Sequence, residues 1–161
     1  MSLSPAELLL SYLDGQRAHV LGAIEGLDEQ DLRRPVLPSG WSCLSLVNHL
    51  AKDVEVFWFQ GVVAGRPAAQ GGNDEPDGWQ LPEDVEAAAV VAGYREAVRE
   101  ANRIIRATPL DSAAAWWPDY FPDRHRDLQQ TVLHVLTETA THAGHLDAAR
   151  ELIDGRTWLV L

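Results

Sequence analysis

Four long stretches of this chain repeat their apolar residues at helical intervals, and none alternates as a half-buried strand would. The first opens with Ser4-Pro5-Ala6-Glu7, the spacing of a capping box with proline at the first helical position. Leu9, Leu13, Val20, Ile24 and Leu27 mark its buried face. Asp28-Glu29-Gln30-Asp31 begins a short extra turn, stopped by Pro35 and Pro38, with Ser39-Gly40 as a turn. A second helix is predicted from Ser42, a capping residue, to about Gly65. On it Leu46, His49, Leu50, Asp53, Val54, Phe57 and Trp58 share one broad face. Gly65 to Pro82 reads as a loop. The third helix is predicted from Glu83 to Ala107, with Tyr94, Val98, Ala101 and Ile105 inside and its arginines mostly outside. The fourth runs from Leu128 to Asp154 and stops at Gly155, a favoured left-handed terminator. Four helices with two long connections imply an all-α four-helix bundle with crossovers.

Composition narrows the classes. A chain of 161 residues, 46% of them hydrophobic, is expected to form one globular domain over 1–161. Its apolar runs fall short of the roughly 18 residues that a membrane span needs. No basic stretch precedes an apolar core at the N-terminus, so no signal peptide is expected. The one cysteine, Cys43, allows no internal disulfide, and a cytoplasmic location is the expectation. A net charge of −11, from 24 acidic against 13 basic residues, argues against nucleic acid as the main partner.

The stretch that carries chemistry is Glu138-Thr139-Ala140-Thr141-His142-Ala143-Gly144-His145-Leu146-Asp147. Residues three and four apart share a helix face, so Glu138, His142 and His145 form one polar stripe bordering Leu136, Leu146, Ala149 and Ile153. Acidic and imidazole groups turned toward a core need a partner or a metal. The same spacing also serves surface histidines hydrogen-bonded to Glu138. On the second helix, His49 lies among apolar residues and faces inward, as a ligand or as a hydrogen-bonded core histidine.

Trp41-Ser42, then His49-Leu50-Ala51, Glu138, His142-Ala143-Gly144-His145-Leu146-Asp147 and Arg150-Glu151-Leu152-Ile153-Asp154-Gly155 resemble the DinB-like superfamily. That superfamily includes mycothiol-dependent maleylpyruvate isomerase and bacillithiol S-transferases. The resemblance implies a metal held by one histidine of the second helix, matching His49. A pair four residues apart in the fourth helix, matching Glu138 and His142, would complete the set. Glu at the first position of that pair resembles the mycothiol-dependent branch. The resemblance further implies a metal-dependent transfer of a low-molecular-weight, mycothiol-like thiol to a small electrophile. A non-catalytic metal-binding or stress-related protein and a metal-dependent hydrolase are the alternatives. Zinc suits two imidazoles and a carboxylate, with nickel, iron or manganese also compatible. His145 is then the candidate for an acid–base or supporting role beside the metal, with a structural hydrogen bond as the alternative. Asp53, one turn beyond His49, reads either as steadying it or as a solvated helix charge. The isomerase carries a further C-terminal domain, which is not seen before Leu161, so its particular reaction is not expected.

Cys43, near a helix start, reads as a buried structural cysteine, with a dipole-activated thiol as the alternative. His19, His125 and His134 read as structural or exposed, without ligand-spaced partners on their own elements. Trp116, Trp117, Tyr120 and Phe121 sit in a long connection and read as core or interface aromatics, with a cover over the metal as the alternative. A homodimer is expected from the resemblance and from the apolar surface that six tryptophans could supply.

Overall fold

The computed structural model describes residues 3–71 and 77–157, and every regular element among them is helical. Expectations at Met1-Ser2, at 72–76 within the Gly65–Pro82 loop, at Trp158 and at Leu161 lie outside the described residues. The first helix, α1 (Pro5–Ile24), starts as its sequence demands. The Ser4 hydroxyl accepts from the Glu7 N–H, and the Glu7 carboxylate accepts from the Ser4 N–H at 2.8 Å. A single extra turn, α2 (Glu29–Arg33), is capped by Asp28. Then α3 (Cys43–His49) begins at Ser42, whose hydroxyl accepts from the Ser45 N–H.

Here the structure corrects the expectation of one uniform α-helix to Gly65. After His49 the chain continues as a π-helical segment, Leu50–Val63, which ends with the Ala64 N–H donating five residues back to Phe59 at 3.0 Å. Widening changes which side chains face inward. Leu46, Leu50, Val54, Trp58 and Val62 form one buried row, and Val47, Ala51, Glu55, Phe59 and Val63 form a second. In a 3.6-residue helix, rows spaced by four drift around the axis by about 40° at each step. In the wider segment a step of four falls short of a full turn instead of running past it, which offsets the drift of the α-helical turn before it. Both rows therefore stay on the core.

The third long helix, α4, spans Ala87–Ala107 and starts one turn later than expected, because the Glu83 and Asp84 region forms turns. Tyr94, Ala101 and Ile105 are buried as predicted, and Val98 is half-buried. The fourth, α5, occupies Leu128–Asp154, begins under an Asp127 cap and stops at Gly155 with φ of 76°. Helix α1 packs along α5, and α4 along the π segment, which also meets α5. Arg150 of α5 donates to the Ala23 and Glu25 carbonyls, which the end of α1 leaves open.

The long connection between α4 and α5 is tied down by the same logic. The π segment's terminal carbonyls, Val62 and Val63, accept from Trp116 and Ala115. This lays Trp117, Phe121 and His125 over Trp58. Each of the five described tryptophans packs against the protein's own core, so they supply little of the surface invoked for a dimer. No described helix is long and apolar enough to cross a membrane.

Candidate metal centre

His49 closes the last α-helical turn of α3, immediately before the widening, while Glu138 and His142 stand one turn apart on α5. The contact of the π segment with α5 brings them together. One donor atom from each of His49, Glu138 and His142 lies within 4.8 Å of the other two, all three half-buried. His142 Nε2 is 3.6 Å from Glu138 Oε2, and the His49 and His142 rings are 5.1 Å apart. A tetrahedral ion with bonds of about 2.1 Å needs ligand atoms roughly 3.4 Å apart, so a modest contraction of these side chains would close the site. The group could hold a metal ion.

Electrostatics favour that reading. Burial, and after it the neighbouring His49, holds His142 below the ordinary imidazole range, while Glu138 pulls the other way. A histidine kept neutral offers the lone pair that a metal requires. Two neutral imidazoles and one carboxylate form a recognised divalent donor set, and these residues fit it.

The surroundings hold each ring in place. Asp53 Oδ2 accepts from His49 Nδ1 at 2.7 Å and from the Gly78 N–H at 2.8 Å. Asn48 donates to the Gly78 carbonyl at 2.6 Å. Gly78 has to be glycine, because a Cβ would sit 2.6 Å from both Asp53 Oδ2 and His49 Cα. Trp79 then stacks on His49, with centroids 4.2 Å apart and planes within 17°. His145 lies on the far side of His142 from Glu138. It is exposed, with its Nδ1 3.4 Å from His142 Nδ1 and its ring beside Trp41. It is therefore outside the three-residue group and in contact with it.

With this geometry in view, the match to known proteins is specific. The family model described as Mycothiol-S-transferase covers residues 8–155. The chain belongs to that family. No curated protein matches it at a significant level. His49 of α3 and the Glu138–His142 pair of α5, the residues that the resemblance offers as ligands, are the ones that lie together here and could hold a metal.

Other expectations resolve more simply. Cys43 is buried and its thiol is pushed up to about 11 by burial, as suits a structural cysteine. His19 pairs with Asp147 at 2.9 Å, joining α1 to α5. His125 and His134 are less isolated than their sequence suggested. Their rings lie 5.0 Å apart, both packed on Trp58. The sequence did hold a signal for His134, which precedes Glu138 by four residues and so shares its face. Nothing comparable announced Trp79, which reaches His49 across a loop.

Proposed function

We propose that this mycothiol S-transferase family member is a divalent-metal-dependent enzyme that joins a low-molecular-weight thiol of the mycothiol kind to a small electrophile. The observation that carries the reading is the convergence of His49, Glu138 and His142 in a chain of this family. A bound divalent ion, zinc being the best match to the donor set, would supply Lewis acidity that makes a thiol easier to deprotonate.

The chain's own residues do the rest. Asp53 accepts from His49 Nδ1, which leaves the Nε2 lone pair for the site. With Nε2 of His142 holding the ion beside Glu138, its Nδ1 would carry the proton and could donate to His145 Nδ1, 3.4 Å away. His145 then keeps its own proton on Nε2, and we assign it the acid–base role at the edge of the site. In the transfer, the thiol gives up its proton and a sulfur–carbon bond forms. The electron pair of the broken bond leaves with the displaced group. In an addition it moves instead to the neighbouring atom, which takes up a proton. A cytoplasmic homodimer belongs to the same proposal, and sedimentation showing only monomer at micromolar concentration would remove the dimer.

About one equivalent of divalent metal per chain is expected on elemental analysis, with most of it lost in His49→Ala and His142→Ala. Equal metal in all three proteins would eliminate the site. Conjugation assays with mycothiol and other thiols then read the activity. Metal without thiol-dependent turnover would leave the two alternatives, a non-catalytic metal-binding protein or a metal-dependent hydrolase.

A further inference from the structure

A cleft of about 480 Å³ opens directly beside the metal group, with His49, Asp53 and Glu138 forming one wall. The opposite wall comes from Trp58 of the π segment and from Trp117, Phe121 and His125 of the connection before α5. His134 of α5 closes the end. This volume suits a small organic molecule. The rings are already ordered against one another. Phe121 and His125 both lie within 20° of the Trp58 plane, and the Trp117 indole N–H donates to the Phe121 carbonyl at 2.8 Å. Such walls favour a flat, polarisable guest.

Charge sets a second condition. Besides Glu138, whose charge a bound cation would offset, two carboxylates, Asp53 and Asp123, line the cleft, and no lysine or arginine does so among the described residues. Arg124 and Arg126, nearby in sequence, are occupied elsewhere, with the Ala114 carbonyl and with Asp127. The other charged or titratable lining groups are three imidazoles, His49, His125 and His134.

We propose that this cleft is the electrophile's seat and that it selects neutral, flat, unsaturated molecules while rejecting carboxylate-bearing ones. The inference rests on the transferase reading for the word electrophile, but its test needs no turnover. The long connection, with its unusual load of aromatic residues, thereby acquires a use as the specificity wall of the site.

The test is calorimetric titration of the full, metal-loaded chain with no thiol present, repeated with chelator added so that any capture of a carboxylate by the metal is read as the difference between the two. The probes are 2-naphthol and 2-naphthoate at pH 7.5, which share a shape and differ in charge. A preference for naphthol of at least about tenfold is expected. Phe121→Ala, at an exposed position, should weaken naphthol by about threefold to tenfold. Asp123→Asn should narrow the preference by easing naphthoate binding. Trp41→Ala, in the separate cleft formed with Arg33 and Trp79, should leave naphthol binding unchanged. Equal or tighter naphthoate binding overturns the charge selection. Naphthol binding that is absent, indifferent to Phe121→Ala, or lost in Trp41→Ala overturns the seat. A chain that binds naphthol selectively yet transfers no thiol would keep this inference and lose the transferase.

Discussion

Two clusters of polar side chains sit inside this bundle, and they are built on opposite plans. Around Arg17 the plan is closed. Its guanidinium grips Glu55 with two bonds, at 2.7 and 2.6 Å, and reaches Asp14 at 2.9 Å and Asn102 at 2.6 Å. Arg17 is 2% and Glu55 1% exposed, and donors face acceptors throughout. Around His49, Glu138 and His142 the plan is open. There the supporting bonds lie at the back of the rings, to Asp53 and His145, while the front presents acceptors to one another. A closed cluster needs nothing from outside and holds helices in place. An open one could hold a metal ion, and that contrast separates scaffold from candidate site more sharply than burial does.

Breaking the closed cluster should have the largest effect on folding. Arg17→Ala leaves Glu55 buried without its cation and should cost about 3–5 kcal/mol, a large part of an ordinary domain's stability. Replacing both with apolar residues, as in Arg17→Met with Glu55→Leu, should recover most of that loss. Denaturant unfolding measures both. If the single change is harmless, the cluster is not the scaffold element described here. Glu138→Ala, by contrast, should remove metal and leave the metal-free protein about as stable as before.

At the edge of the open cluster, His145→Ala should retain metal and lower thiol transfer by about 10²–10⁴-fold, the usual reach of an acid–base group. Its exposed position, with ring contacts only to His142 and Trp41 among the described residues, argues that folding will be little affected. A variant with an unchanged rate, or a structure with His145 directly on the metal, would refute the assignment. Asp53→Asn comes next, with metal affinity expected to fall by about 10–100-fold because the His49 ring loses its anionic acceptor. Competition with a metal-sensitive dye would read the change, and an unaltered affinity would show that Trp79 stacking alone orients His49.

The contrast also explains what the sequence could and could not convey. Helix α5 was legible from its first residue to its last, since periodicity and Gly155 are local signals. So were the caps at Ser4 and Ser42. His49, Glu138 and His142 were reachable because their spacing and the family pattern agreed. The Arg17–Glu55 pair was hidden, because Glu55 lies off the inward face that a 3.6-residue helix predicts, and only the wider π turn brings it in. For the Trp117–His125 stretch the sequence left two readings open, core packing or a cover, since its placement depends on hydrogen bonds to Val62 and Val63 across more than fifty residues of chain.

The smallest expected effect is on pH dependence, and it falls on the open side of the molecule. Burial is the leading cause that holds His125, His134 and His142 below the ordinary imidazole value. The folded chain therefore resists protonating them, while the unfolded chain takes up protons near the reference value of about 6.5. Below that value the unfolded state binds more protons, so these groups favour folding fully above it. Their contribution shrinks as pH falls toward the lowered folded values. Thermal melts of metal-free protein should show a drop between neutrality and mildly acid pH, and His134→Asn should flatten it. A slope that survives His134→Asn unchanged, and also survives His125→Asn, would mean that the cleft histidines titrate as freely in the folded chain as in the unfolded one. The open cluster would then be far wetter than its packing against Trp58 and Trp79 implies.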